Sequence, residues 1–355
     1  MAGITAKDIA AKLGLSPAAV SLALNGKPGV SESTRALVLE AAMQMGYARI
    51  STAAYSPTNR TICFVRYADK IVTIAEHSSF SSLVLQGVEA RASELGYSTQ
   101  VRYLAAGDIY NRQTLETLRN VDGIIFLGTD ITEPRLPELE QLFESLENTP
   151  VVVVDSFLLA NRVDCVGNDC FGGARSAVEH LIKTGHRRIG YIKANQRIRN
   201  FDEREAGIHA ALSQAGLELA LAVEVGVSSE DAFQDFDAWV KQGLPLPDAL
   251  FAENDILAAA VIRVLKKHGY RVPEDVSVVG FDDTPMCEML DPPLSTVRCF
   301  KEDLGAVAVE HLHRRISANQ VPHKSYSLGL LNTKLSTRFI SRFSVKSRHE
   351  GPQFE

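Results

Sequence analysis

The sequence predicts an α/β protein built from an N-terminal three-helix helix-turn-helix head and a two-lobed body of doubly wound parallel sheets. Three observations predict it. Three short segments with helical apolar spacing fill residues 1–47, continuous apolar runs alternate with helical patterns from Thr61 onward, and that alternation runs through two successive series. Strands that are apolar throughout belong to parallel sheets covered on both faces, because the crossover helices pack on each side. At 355 residues the chain also exceeds one ordinary core and suggests two or three domains.

The head follows from its punctuation. Thr5 is placed to cap a first helix whose third position is Asp8, with Ile9, Ala10 and Leu13 on one face and Gly14 as the stop. Ser16 is an N-cap and Pro17 stands at the first helical position, where its missing N–H costs nothing, so a second helix starts abruptly and turns Val20, Ala23 and Leu24 inward. Asn25-Gly26 closes it. Ser31 caps a third helix with Val38, Ala41, Ala42 and Met45 at helical spacing and Gly46 at its end. Two helices joined by a short Gly turn are the geometry in which the second helix enters the major groove, with Pro17, Ala18, Ser21 and Leu22 facing outward. An ordinary helical hairpin has the same spacing, so spacing alone leaves both readings open.

The body reads as a sustained alternation. "TICFVRY", "TQVRYL", "VDGIIFLG" and "VVVVD" are the strands of a first series, and "RIGYI", "AVEVG", "ALFAEND" and "VSVVGFDD" those of a second, with amphipathic helices between them. Trp239 falls within one of those helices and reads as core. In doubly wound sheets the binding edge lies at the carboxyl ends of the strands. The polar residues there are Asp155, Asn254-Asp255 and Asp282-Asp283, a complement of carboxylates and amides suited to a small polyhydroxylated molecule. Asp255 and Asp283 read as caps of the following helices, and Asn254 and Asp282 as ligand contacts.

Charge is uneven. The chain carries −6 overall, but residues 1–60 hold six basic and three acidic side chains, so a small basic module precedes an acidic body. That asymmetry fits a polyanion-reading head. The five cysteines form no C-x-x-C pair, which suggests neither a disulfide framework nor a zinc knuckle. His311 and His313 point to different sides of a helix, so no metal and no cofactor is expected. No G-x-G-x-x-G after a strand, no G-x-x-x-x-G-K-[ST] and no G-x-S-x-G occurs, which removes the commonest chemistries of this fold class and makes an enzyme an unfavoured reading. The first residues lack a signal peptide's apolar core and no run reaches the ~20 residues of a membrane span, so a cytoplasmic protein without membrane association is expected.

The segment "TAKDIAAKLGLSPAAVSLALNGKPGVSESTRALVLEAAMQMGY" resembles the DNA-binding head of the lactose-repressor/galactose-repressor family, with its D-I-A, G-x-S, V-S-x-x-L-N and V-S-x-x-T-R elements in order. "PVVVVD", "GHRRIGYI", "AENDILAAAVIRVLKKHGYRVPEDVSVVGFDDTP" and "DPPLSTVR" are similar to the effector-binding core of the same repressors, a periplasmic-binding-protein-like fold. The resemblance implies phosphate contacts from Thr5, Ser16, Ser21, Asn25, Ser31 and Thr34, and base contacts from Pro17, Ala18 and Leu22. It implies effector contacts from Phe80, Asp155, Arg204, Asn254, Phe281 and Asp282. Leu22 departs from the arginine often found at its position, and "SSFSS" around Phe80 departs from the family's N-P-F-F, so the usual effector does not carry over.

The expected organisation is a head over 1–47, a linker over 48–60, a body over 61–345 and a tail over 346–355. Within the body one lobe takes about 61–157 and 293–323, the other about 158–292 and 324–345. The linker "ARISTAAYSPTNR" is short and holds Pro57, so a hinge helix in the minor groove and a plain Ser/Thr/Pro linker both stay open. The reading is a transcriptional regulator, most simply a repressor, with double-stranded DNA operator, small carbohydrate-like effector and a second copy of itself as partners, as a homodimer or a tetramer. The alternative is a solute-binding protein for sugar uptake, which shares the body but has no use for the head.

Overall fold

The structure, a computed structural model, describes residues 5–25, 27, 29–45, 47, 60–68, 78–146, 149–319 and 328–348. It divides into two units, residues 1–60 and 61–355. Residues 48–59 of the linker, and with them its hinge reading, and the stops at Gly26 and Gly46 lie outside the described residues.

In the first unit α1 (Ala6–Leu13), α2 (Pro17–Leu24) and α3 (Glu32–Gln44) enclose a core of Ile9, Val20, Ala23, Leu24, Val38 and Ala42. Gly14 ends α1 at φ 66°, a left-handed conformation in which its N–H returns to the Ala10 carbonyl; a side chain there would be strained. Ser16 Oγ accepts from Ala19 N at 3.1 Å and so satisfies one of the four orphan donors at the start of α2. Ser31 Oγ does the same for Thr34 N at 3.2 Å. The expected pairing of Thr5 with Asp8 forms through the Asp8 carboxylate, to whose Oδ2 the Thr5 hydroxyl and N–H both donate at 2.7 Å. Arg35 of α3 donates to the carbonyls of Ala23, at 3.3 Å, and Lys27, at 2.7 Å, tying α3 to the carboxyl end of α2.

The second unit is two parallel sheets. The first has the order β11-β5-β4-β3-β1-β2, formed by β1 (Thr61–Ala68), β2 (Ser98–Ala105), β3 (Gly123–Leu127), β4 (Val151–Val154), β5 (Asp164–Asn168) and β11 (Asn332–Leu335). The second has the order β7-β6-β8-β9, formed by β6 (Ile189–Ala194), β7 (Leu221–Val225), β8 (Ala249–Ala252) and β9 (Ser277–Val279). An antiparallel ribbon of β10 (Thr296–Arg298) and β12 (Arg338–Ile340) completes the described strands. The inner strands β3, β4 and β8 are buried along their whole length, as continuous apolar runs require.

The lobe boundaries differ from those expected. Residues 164–168 were assigned to the second lobe, yet β5 extends the first sheet beside β4, and β11, also assigned to the second lobe, pairs in parallel with β5. The reason is electrostatic as well as topological: Asp164 is buried at the start of β5, where Arg315 holds it from the helix that follows β10. Conversely, Ser295 and Arg298, assigned to the first lobe, bridge in parallel to Val279 and Asp282 beside the second sheet.

Helices cover both sheets: α4 (Ser78–Glu94), α5 (Arg112–Arg119), α6 (Leu136–Ser145), α7 (Cys170–Lys183), α8 (Arg199–Gln214), α9 (Ser229–Val240), α10 (Asp255–Lys267), the short α11 (Met286–Met289) and α12 (Lys301–Asn319). α4 and α12 cross backbone to backbone at two glycines. A Cβ on Gly87 would lie 1.9 Å from the Glu302 carbonyl oxygen, and one on Gly305 2.1 Å from that of Val84. Trp239 stacks on Phe236 at 5.7 Å and packs against the core of the second lobe.

Candidate functional site

The carboxyl ends of the strands of both sheets converge on one cleft within the second unit. Asp155 follows β4 and Thr129 follows β3; Asn254 follows β8, Asp282 follows β9, and Ile198, Asn200, Phe201 and Arg204 come from the start of α8 after β6. Phe80, in the first turn of α4, closes the wall. The space they enclose is small, about 300 Å3 including its open mouth.

Its groups are organised rather than merely near. Arg204 is buried and donates to Asp282 Oδ1 at 3.0 Å and to the Glu253 carbonyl, while its guanidinium lies 3.8 Å over the Phe281 ring and 5.4 Å from that of Phe201. A guanidinium between two aromatic faces keeps its charge satisfied out of water. Asp155 accepts from Thr129 Oγ1 at 2.8 Å, and burial pushes its carboxyl up to about 7. Asn200 Nδ2 donates to the Asp155 carbonyl at 3.1 Å, so a side chain of the second lobe is bonded to the backbone of the first across the cleft.

Asp155, Asp282 and Asp283 are the non-glycine residues of the described chain at positive φ, 63°, 106° and 52°. Such backbone costs roughly 1–3 kcal/mol per residue and persists where the surroundings over-determine it. Here the surroundings are visible: Lys301, buried at the start of α12, donates from Nζ to the carbonyls of Asp282, Asp283 (3.2 Å) and Cys299 (3.3 Å).

Of the expected effector residues, Phe80, Asp155, Arg204, Asn254 and Asp282 line the cleft. Arg204 is 5% exposed, which removes the reading of a surface helix residue. Phe281 does not line it: two residues beyond β9, its ring is 0% exposed, packed in the core, and supports Arg204 from behind. The helix caps are also exchanged. Asn254, not Asp255, caps α10, accepting from Leu257 N at 2.9 Å, which leaves its amide nitrogen as the donor for a ligand. Asp255 is fully enclosed and accepts from Thr284 and Thr296 hydroxyls at 3.0 and 2.6 Å. Asp283 is an ion-pair partner of Arg298 and Arg342 at 2.5 and 2.7 Å rather than a cap.

Thr129, Ile198, Asn200 and Phe201 were not anticipated. Thr129 stands at the strand end of "GIIFLGT" as Asp155 does at that of "VVVVD", whereas Ile198, Asn200 and Phe201 at the start of α8 carry no motif of their own. His311 and His313 bond Thr333 (3.2 Å) and Tyr97 (2.9 Å), and among the described residues no group of three or more metal-ligating side chains occurs.

In the head, Ser16, Pro17, Ala18, Ser21 and Asn25 are exposed on or beside α2, as are Thr5 and Ser31, with Leu22 and Thr34 half-buried. Asn25 Nδ2 donates to the Ser21 carbonyl at 2.8 Å and Ser31 Oγ lies 2.7 Å from Thr34 Oγ1. The outer side of α2 is thus polar at its edges and small or apolar at its centre.

A helix-turn-helix head followed by a two-lobed body with a polar cleft at its strand ends defines a DNA-binding regulator with a ligand-binding body. Residues 5–49 match the model of the bacterial regulatory proteins of the lacI family, and residues 178–337 that of the periplasmic-binding-protein-like domain. The chain is 30% identical over 347 residues to the HTH-type transcriptional repressor PurR of Haemophilus influenzae, covering 97% of this chain and 99% of that protein. It is 30% identical over 319 residues to the ribose operon repressor of Escherichia coli K12, covering 88% and 93%. Among solved structures, a complex of the transcriptional regulator CelR with cellobiose matches with a TM-score of 0.67 at 27% identity, over 96% and 99% of the two chains. A lac repressor dimer bound to operator shares the fold with a TM-score of 0.69 at 23% identity, over 97% and 100%. The chain belongs to the lacI family of bacterial regulatory proteins. No described helix is long and apolar enough to cross a membrane.

Proposed function

We propose that this regulator represses transcription by binding a pseudo-palindromic operator as a homodimer, and that a small polyhydroxylated effector held in the cleft alters that binding. The observation that carries the effector class is the cleft itself: the Asp155 carboxylate, the Arg204–Asp282 pair and the Asn254 amide present donors and acceptors at fixed positions around a small space. Such a set matches hydroxyl groups, which both donate and accept, better than it matches an apolar or a strongly charged molecule. The names of relatives, a ribose operon repressor and a CelR–cellobiose complex, lean the same way.

Phosphate contacts fall to Thr5, Ser16, Ser21, Asn25, Ser31 and Thr34, and base contacts to Pro17, Ala18 and Leu22. One head offers few of either, so two held at fixed spacing give the affinity. A ligand that favours one arrangement of the lobes changes that spacing, and allosteric coupling of about 1–3 kcal/mol alters operator occupancy some 5- to 150-fold.

The test is a genome-wide DNA-binding footprint followed by operator titration with and without sugars used by the adjoining genes. A reproducible palindromic site whose affinity shifts at least fivefold with one such sugar is expected. Binding that prefers no duplex sequence over random competitor would overturn the reading.

A further inference from the structure

The face that α2 offers to a duplex is poor in hydrogen-bonding groups. A recognition helix meets base edges with its N-terminal residues. In α2 those are Pro17, Ala18, Ser21 and Leu22, the first three exposed and Leu22 half-buried, and none carries a guanidinium, ammonium, amide or carboxylate. Resting on the operator reading above, we propose that each operator half-site is selected through carbon. Ala18 and Leu22 rest on the 5-methyl groups of two thymines, and no side chain in the first two turns of α2 makes a bidentate hydrogen bond to a base.

The nearest polar groups serve the head itself. Ser16 Oγ caps the helix, accepting from Ala19 N at 3.1 Å. Asn25 stands at the opposite end of α2, where its Nδ2 donates to the Ser21 carbonyl at 2.8 Å. Arg35 of α3 is turned to the carbonyls of Ala23 and Lys27. Lys27, exposed beyond the helix end, is a point charge suited to phosphate. Ser21 keeps a hydroxyl, which both donates and accepts and therefore suits any base. Leu22 is backed by Gly29, at φ 117°, on which a Cβ would lie 3.2 Å from Leu22 Cδ1.

That chemistry favours one base. In the major groove guanine, adenine and cytosine present nitrogen and oxygen edges, and thymine adds a methyl group. An alkyl side chain over a polar edge displaces its water and returns no hydrogen bond, so the other three bases are penalised. Ala18 and Leu22 are four residues apart, hence on one face and about 6 Å apart along the axis. Base pairs stack ~3.4 Å apart, which places the two methyl groups within about two steps of each other.

The experiment begins with selection of sites from a random duplex pool by the full-length protein. The enriched duplex is then titrated with uracil in place of each thymine in turn. Uracil lacks only the methyl group and keeps the same hydrogen-bonding edge, so a change in affinity reports the methyl. At two positions in each half-site a loss of about three- to fivefold per substitution is expected, the size of burying one methyl group. Cytosine at either position is expected to weaken binding, and 5-methylcytosine to restore part of it. In Leu22→Ala the uracil effect is expected to vanish at one of the two positions, and in Ala18→Gly at the other. An enriched site whose affinity is unchanged by uracil at every position, or a uracil effect unmoved in both variants, overturns methyl readout and leaves sequence-specific binding standing. If no sequence is enriched, the operator reading itself falls, and methyl readout with it.

Discussion

Asp155 joins structure to chemistry most directly at the scale of the residue. Burial raises its carboxyl to about 7 from an ordinary value near 3.8, so the folded protein holds this proton more tightly than the unfolded chain. The resulting cost to folding is absent below about pH 4, grows as pH rises toward 7 and is complete above it. Asp155→Asn carries no such cost. Its stability relative to the parent is therefore expected to rise between pH 5.5 and pH 8, by about 2 kcal/mol, in urea denaturation without ligand. A difference that stays constant over this range would sink the argument from burial. Leu22 acts at the same scale on the DNA side. It can offer only van der Waals contact, most usefully to a thymine methyl, whereas arginine can bond guanine twice, worth about 1–3 kcal/mol of discrimination. Leu22→Arg is expected to move the preferred base toward guanine in a binding-site selection, and an unchanged preference would remove Leu22 from the readout.

At the scale of the element, sequence pattern was a good guide wherever a segment could satisfy itself. α2 needs only Ser16, Pro17 and its Val20–Ala23–Leu24 face, and it forms where those residues stand. Ser16→Ala is expected to cost about 1 kcal/mol of head stability, read by thermal denaturation, because a donor at the helix start loses its acceptor. The places of β5 and β11 depend on partners far along the chain: "DCVGN" has no continuous apolar run, and its buried Asp164 is held by Arg315 and by the Leu331 N–H. The α4–α12 crossing has the same character. Gly87→Ala would drive a methyl to within 1.9 Å of a backbone oxygen that has no rotamer to yield, and a loss of about 1–3 kcal/mol or more is expected in chemical denaturation.

At the scale of the whole molecule, a hydrogen bond across the cleft ties one lobe to the other. Asn200 spans the cleft to the Asp155 carbonyl, and a hydrogen bond of about 1 kcal/mol shifts an open–closed equilibrium about fivefold. Asn200→Ala is expected to enlarge the radius of gyration in small-angle scattering without ligand, with the difference disappearing at saturating effector. Equal radii for both forms would show that this bond does not hold the lobes. The charge balance belongs to this scale too. The chain is −6 overall with its positive excess confined to residues 1–60, so operator affinity should depend on a limited number of phosphate contacts. Log affinity against log salt is expected to fall linearly, by about 0.9 per phosphate neutralised, and a flat line would exclude backbone neutralisation as the source of binding.

The sequence by itself determined the head, the β-α rhythm, the charge asymmetry and the strand ends at which Asp155, Asn254 and Asp282 stand. Those features rest on local spacing, on caps and on runs of apolar residues, all of which neighbours along the chain decide. Only the tertiary structure decided that Asn254 caps α10 while Asp255 is enclosed by Thr284 and Thr296, that Phe281 backs Arg204 instead of meeting a ligand, and that Thr129, Ile198, Asn200 and Phe201 complete the cleft. Adjacent residues leaving a strand face different surroundings, and which of them faces the opening is set by elements tens of residues distant.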